Sequence, residues 1–142
     1  ALPISADHVR YVGTWNVNNE TFAGKDLVEN FKKKYNDDFY AVTTYSAIQL
    51  LAKGVNQAKT TDPVKVAFAM EGQKFKSLNG EVEMRKTDHQ LQQPLYLTTW
   101  VKTNGKTVKF DQENTGYGWR TDQKVDPYVA AQPTSCNMKR PS

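Results

Sequence analysis

The chain has 142 residues, enough for one domain, and its three tryptophans, seven tyrosines and six phenylalanines argue against intrinsic disorder. Its longest uninterrupted apolar run covers only residues 66–70, which is too short for a transmembrane helix of about 20 residues. Nineteen basic and fifteen acidic residues give a net charge of +4, and the single cysteine, Cys136, excludes an internal disulfide framework and a cysteine-based zinc cluster.

The first predicted elements are a short strand and an amphipathic helix. Residues 9–15 alternate in polarity, which predicts a strand with an aromatic face that includes Trp15. The apolar side chains of residues 27–35 share one helical face, with Asp26 as the predicted N-cap and residues 36–38 as the closing turn.

The second predicted helix covers residues 39–58. Its apolar side chains recur at intervals of four and three residues, as expected of one buried helical face. The residues expected to be buried on this face are Ala41, Tyr45, Ile48, Ala52 and Val55. An aspartate in place of Ile48 is then expected to unfold the chain, because an unpaired charge in a core is very costly.

A third helix is predicted to begin at Pro63, with Asp62 as its N-cap, and to stop at Gly72. The period of the pattern then changes from helical spacing to two, which is typical of strands, over residues 81–85 and 95–103. The second of these strands is expected to present one face made of Leu95, Leu97, Thr99 and Val101.

The last third of the chain is rich in turn signals. Asn104 and Gly105 predict a two-residue hairpin turn that leads into a strand at residues 107–110. Residues 111–142 are predicted to form an irregular tail that wraps on another part of the chain, because its aromatic side chains need cover.

Groups that would support catalysis or metal binding do not cluster in the sequence. His8 and His89 each lack a neighbouring histidine, cysteine or pair of carboxylates at metal-ligand spacing, so we expect no metal and no cofactor. No nucleophile and base occur in a known motif, so we expect a binding or structural protein rather than an enzyme. Trp15 and Tyr40 lie at the ends of predicted elements, where binding residues are common, but core or rim packing is the simpler interpretation.

Two other functions stay open on the sequence alone. One is a small nucleic-acid-binding module, in which basic residues and exposed aromatic side chains contact phosphates and bases. The only tight basic cluster covers residues 32–34, however, and a solvated basic face is the simpler interpretation. The other is an enzyme whose site the sequence does not reveal.

An ordered set of segments extends through the middle of the chain: FYAVTTYSAIQLLA at residues 39–52, DPVKVA at 62–67, then Phe75, Gly80 and QPLYL at 93–97. In this order the segments resemble the C-terminal part of the substrate-binding proteins of branched-chain amino-acid ABC transporters. These are type I periplasmic binding proteins, similar to the Leu/Ile/Val-binding protein. The resemblance covers roughly residues 8–110.

The resemblance implies an α/β fold of two lobes joined by three crossovers, with the ligand in the cleft. This chain would be a fragment of that fold, with three helices followed by antiparallel strands and an irregular tail. Residues 1–110 would form the C-terminal portion, divided into a crossover strand at 8–16, first-lobe helices and a strand at 17–93, and second-lobe strands at 94–110. Residues 111–142 would be the tail.

The same resemblance implies a function. The protein would bind a branched-chain amino acid or a related small carboxylate in the periplasm by lobe closure, and then dock on the membrane permease of an ABC transporter. Tyr40 and Trp15 are the implied ligand-binding residues, with Trp15 near the hinge, and no nucleic-acid partner is expected. Because family chains are more than twice as long, we expect this chain to lack an N-terminal half or to form a homo-oligomer.

Overall fold

The computed structural model describes residues 9–19 and 23–141. His8, which opens the predicted crossover strand, lies outside these ranges. In chain order the elements are β1 (Arg10–Gly13), α1 (Lys25–Tyr35), α2 (Val42–Ala58), α3 (Pro63–Met70), β2 (Lys74–Ser77), β3 (Gly80–Met84), β4 (Leu91–Gln92), β5 (Leu95–Lys102), β6 (Tyr117–Val125) and α4 (Pro127–Ala130).

The described strands form two antiparallel sheets. The first sheet has the order β1-β5-β6 and the second has the order β2-β3-β4. Strand β5 is therefore central in the first sheet, with Arg10 opposite Thr99 on one side and Trp119 opposite Trp100 on the other. This mixture of helices and antiparallel strands confirms the predicted α/β fold class.

Helix α1 begins at Lys25, and Gly24 occupies the N-cap position. Asp26 is therefore not the cap, and the prediction is wrong on this point, because the backbone is already helical one residue earlier. Its carboxylate lies in the first turn, where the helix dipole favours a negative charge. The helix closes as predicted at Asn36, which has a φ of 53° and donates its N–H to the carbonyl of Lys32.

Helix α2 begins at Val42, later than predicted, and buries a different face from the one expected. Tyr45 and Ile48 are 37% and 63% exposed, so the predicted buried stripe is wrong, and the expectation that Ile48→Asp unfolds the chain has lost its basis. The residues that the helix buries are spaced by four: Val42, Ser46, Leu50 and Gly54.

Small residues decide which face of α2 is buried. A Cβ added at Gly54 would lie 2.5 Å from Cγ of Met70, so α3 approaches α2 too closely for a larger residue at this position. The Ser46 hydroxyl donates to the Val42 carbonyl at 3.0 Å and also hydrogen-bonds Ser77 at the end of β2. The close contact between Gly54 and α3 and the hydrogen bonds of Ser46 therefore decide which face of α2 is buried. The greater hydrophobicity of the predicted stripe does not.

Helix α3 begins as predicted. The Asp62 carboxylate accepts a hydrogen bond from the Lys65 N–H at 2.9 Å, and Pro63 is the first helical residue. Gly72 follows the helix with a φ of 69°, a conformation that favours glycine.

The apolar core consists of two clusters of buried residues. One joins α1, the start of α2 and the β2–β3 turn: Val28, Phe39, Val42 and Leu78. The other joins the middle of α2 to the second sheet: Leu50, Phe75 and Val82. Helix α2 therefore contributes to both clusters.

Asn79 connects the two sheets at a buried polar point. It lies in the β2–β3 turn and is 1% exposed, and its side-chain amide donates to the Thr14 carbonyl and to Oε1 of Gln93, both at 3.1 Å. The hydroxyl of Tyr96, on β5, donates to the backbone carbonyl of Asn79 at 3.0 Å. These hydrogen bonds join the segment after β1, the β2–β3 turn and the segment between β4 and β5 at Asn79.

Strand β5 covers nearly the predicted range, but the hairpin predicted after it is wrong. Residues 107–110 form no strand, and β5 pairs with β6 through a loop at residues 103–116. The side-chain carbonyl of Asn104 accepts hydrogen bonds from the three amides of residues 106–108 at 2.9–3.1 Å. These bonds close the chain into a local turn in place of a strand.

The predicted face of β5 is only partly correct. Thr99 and Val101 are buried, but Leu97 is 37% exposed, whereas Tyr96 on the opposite face is 2% exposed. Both faces of β5 therefore contain buried residues, and burial along the strand does not follow a simple alternation.

The predicted irregular tail contains a nine-residue strand, β6, and the short helix α4. A bulge interrupts the alternation of β6, because its pairing with β5 skips Asp122 between Thr121 and Gln123. The hydroxyl of Thr99 donates to the Asp122 carboxylate, and this hydrogen bond lowers the pKa of Asp122.

Residues 131–141 are irregular and fold back against α3. The Arg140 guanidinium contacts the Glu71 carboxylate and lies 5.7 Å from the centre of the Phe68 ring. Nε2 of His89 is 2.9 Å from Oε1 of Glu71, and the hydrogen bonds from His89 and Arg140 lower the pKa of Glu71. This part of the tail therefore covers another part of the chain, as expected.

We expect Leu50→Ala to destabilise the protein by about 2–5 kcal/mol, because it leaves a cavity between α2 and the second sheet. Ile48→Ala, on the exposed side of the same helix, is expected to change the free energy of unfolding by less than about 0.5 kcal/mol. Urea unfolding at low protein concentration measures both values. A larger loss for Ile48→Ala would restore the original assignment of the buried face.

Candidate functional site

A cavity of about 490 Å³ lies between the first sheet and the first two helices. Its walls come from β1, residues 14–18, α1, residues 38–40, the start of α2, residues 110–112 and the start of β6. Trp15 and Tyr40, the two predicted ligand-binding residues, both line it although they are distant in sequence. The volume falls in the range of small-molecule sites, roughly 300–1,000 Å³.

Trp15 belongs to both the core and the cavity. Its half-buried ring meets the Phe39 ring edge to face, with centroids 6.3 Å apart and planes at 88°. It also packs against the first core cluster. The position after β1 thus gives Trp15 a packing role together with a place in the cavity wall.

Tyr40 is 52% exposed, and its hydroxyl donates to Oε1 of Glu113 at 3.0 Å. Partial burial, the hydrogen bond to Glu113 and the negative charge of Asp38 raise the pKa of Tyr40 to about 12. The phenol therefore stays protonated at physiological pH and presents a neutral hydroxyl at the cavity.

The cavity contains one ion-pair cluster. Nζ of Lys32 lies 2.9 Å from Oδ1 of Asp38 and 3.8 Å from Oδ1 of Asp111. The hydrogen bond to Asp38 raises the pKa of Lys32, which therefore stays charged. Since two carboxylates face this lysine, the basic cluster considered for nucleic-acid binding is partly neutralised within the protein.

Asparagines that follow β1 fix two walls of the cavity to each other. The side-chain carbonyl of Asn18 accepts the N–H groups of Lys109 and Phe110, and its amide donates to the Phe110 carbonyl, all at 2.9 Å. Asn16 is 4% exposed and donates to Oγ1 of Thr121 at 2.9 Å. These bonds attach the segment after β1 to the 103–116 loop and to β6.

Gly118 allows the same loop to lie close to β6. A Cβ at this position would lie 2.5 Å from the Phe110 carbonyl oxygen and 2.9 Å from Cγ1 of Val108. Any other residue would therefore push the loop away from the strand.

Asn16, Asn18 and Gly118 were not predicted as site residues from the sequence. The signal available was a run with three asparagines among four residues directly after a predicted strand. Such a run predicts a turn, but it does not name the distant backbone groups that the side chains bind.

We expect Asn18→Ala to destabilise the protein by about 1–3 kcal/mol, because it leaves two N–H groups and a carbonyl without their partner. Hydrogen exchange of the Lys109 and Phe110 amides should accelerate in the variant. The control is Asn30→Ala on the exposed side of α1, for which we expect a change within about 0.5 kcal/mol. Unchanged exchange at both amides in Asn18→Ala would contradict the role given to this side chain.

Within residues 9–19 and 23–141, no group of three histidine, cysteine, aspartate or glutamate side chains is arranged to hold a metal ion. The described helices include none that combines the length and the apolar character needed to cross a membrane. His89 lies beside Glu71, away from the residues that line the cavity.

A family model described as periplasmic binding protein matches residues 2–106, which is more than half of the chain. Among solved structures, the leucine-, isoleucine-, valine-, threonine- and alanine-binding protein from Brucella ovis, in its closed conformation, has a TM-score of 0.78 and 22% identity. That match covers 98% of this chain and 36% of the Brucella chain. No curated protein sequence matches this chain.

Two further solved structures are similar over 84% of this chain and 31% of their own length. One is a solute-binding protein of an ABC transporter from Rhodopseudomonas palustris BisB5 in complex with 3,4-dihydroxybenzoic acid, with a TM-score of 0.68 and 20% identity. The other is a leucine-binding protein from Thermotoga maritima MSB8, with a TM-score of 0.58 and 14% identity. The chain thus spans about one third of the length of these structures, and the likeness shows a shared fold.

Proposed function

Because the chain belongs to the periplasmic binding protein family, we propose that it is part of the substrate-binding component of an ABC transporter. Its ligand is a branched-chain amino acid or a related small carboxylate, in keeping with the ligands named for two of the similar structures. The observation that carries the proposal is the shared cavity, to which separate segments bring Trp15 and Tyr40. We propose the periplasm as the location of this protein, because the family is that of periplasmic binding proteins.

The proposed mechanism is reversible closure of two lobes around the solute. We assign residues 17–93 to the first lobe and 94–110 to the second, with 8–16 as a crossover strand. The buried side-chain hydrogen bonds of Asn79 join the crossover strand at Thr14 to Gln93, the last residue assigned to the first lobe. Rigid halves that move about a few residues are typical of hinge closure. No bond is made or broken, so the protein is not an enzyme, and the closed form docks on a membrane permease.

We expect the 142-residue chain to bind leucine, isoleucine, valine and phenylalanine with dissociation constants weaker than micromolar. Small-molecule sites normally bury about 70–90% of the ligand, whereas this chain supplies only part of the length of its structural neighbours. Calorimetry and NMR titration measure the affinity and the place of binding.

Resonances of Trp15 and Tyr40 should respond to the ligand, and Tyr40→Ala should weaken the response. The matched control is Tyr128→Ala, at a side chain that is 78% exposed and outside the cavity. A micromolar dissociation constant for this chain would contradict the expectation that it contains only part of the binding site. Shifts confined to residues outside the cavity would contradict the proposed function.

Helix α2 leaves an apolar face uncovered, on which Tyr45, Ile48 and Leu51 are 37%, 63% and 51% exposed. Contiguous exposed apolar surface favours association, so a second copy, or the rest of a longer protein, is proposed to cover this face. Light scattering should show a dimer or larger assembly, which Ile48→Lys shifts toward monomer and the exposed-site control Lys53→Ala does not. A stable monomer at high concentration is the contrary result.

A further inference from the structure

We infer that the cavity binds an aromatic ring, so that the ligand is a small carboxylate with an aromatic rather than an aliphatic side group. This inference rests on the proposed function and narrows its ligand class. The rings that line the cavity come from β1, the segment after it, the α1–α2 connection, the 103–116 loop and β6: Tyr11, Trp15, Phe39, Tyr40, Phe110 and Trp119.

Four of these rings are arranged as two contacting pairs. Tyr11 and Trp119, both from the first sheet, have centroids 5.6 Å apart and planes tilted by 41°. Trp15 and Phe39 form the edge-to-face pair described above. The edge-to-face arrangement is one of the two geometries that aromatic rings prefer with each other. A ligand ring in the cavity would therefore find both ring faces and ring edges to contact.

The position of the Tyr11 ring is a specific feature of β1. A Cβ added at Gly13 would lie 2.3 Å from Cε1 of Tyr11, so the ring lies across the space that a side chain at position 13 would occupy. Side chains on a strand usually stand roughly perpendicular to the sheet. The glycine lets this ring fold back along the strand, in contact with Trp119 at the cavity.

The polar side chains of the lining are largely engaged within the protein. Lys32 is paired with two carboxylates, Asn18 uses both ends of its amide, and the Tyr40 hydroxyl donates to Glu113. The surface left for a ligand is therefore mainly aromatic. It matches the ring of an aromatic carboxylate, whose charged group would be bound by atoms outside this lining.

Ligand pairs that share their polar groups and a six-membered ring but differ in whether the ring is aromatic test the inference on the 142-residue chain by NMR titration. The pairs are phenylalanine with cyclohexylalanine and benzoate with cyclohexanecarboxylate. We expect the aromatic member of each pair to bind about threefold to tenfold more tightly, as ring–ring contacts allow. The largest shifts should occur at the indole N–H groups of Trp15 and Trp119.

Tyr11→Leu should bring the two affinities of each pair close to equality, and Tyr11→Phe should retain the preference. Tyr128→Leu, at an exposed ring outside the cavity, should leave the preference unchanged. Equal affinities with shifts at the cavity, or a full preference in Tyr11→Leu, would overturn the aromatic inference while the small-carboxylate function stands. No response of cavity resonances to these ligands or to leucine would overturn both.

Discussion

The hydrogen bonds of the Asn18 side chain are the constraint on which the cavity depends. One amide group satisfies two backbone N–H groups and one carbonyl of the 103–116 loop, whose loss without replacement would be costly. Gly118 lets the same loop approach β6 without a clash. Together they hold the segment that contains Trp15 against the loop that contains Phe110, although the two are distant in sequence.

The loop also orients Tyr40 through a continuous line of polar contacts. Lys32 on α1 binds Asp38, which accepts the backbone N–H of Glu113 at 2.6 Å, and the Glu113 carboxylate in turn accepts the hydroxyl of Tyr40. The charges of the helix, the loop and the cavity rim thus compensate one another locally. Such a line makes the position of the ring depend on three separate chain segments, because each contact holds the next.

Features set by local chemistry could be predicted from the sequence, and features set by distant partners could not. The Asp62 cap, the close of α1 at Asn36 and the existence of β5 follow from neighbouring residues. The buried face of α2 depends on the contact between Gly54 and α3. The partner of β5 is β6 and not the segment that directly follows β5 in sequence. No local sequence pattern reveals either of these contacts. The prediction of Trp15 and Tyr40 as ligand-binding residues came from a family resemblance. The role of Asn18 could not be predicted, because it binds backbone groups, which are the same whatever the side chains are.

The bulge at Asp122 determines where β6 can lose one residue without a change in its pairing with β5. On either side of it, Thr121 and Gln123 pair with successive residues of β5 and so face opposite sides of the sheet. Deletion of Asp122 alone would make the ladder regular and leave both halves of the strand in their present orientation. A deletion elsewhere in β6 would instead turn over the residues between the deletion and the bulge, or the part of the strand beyond the deletion. Asp122 is thus the residue of β6 whose loss leaves every pair of the ladder unchanged, although its removal would take the acceptor from the Thr99 hydroxyl.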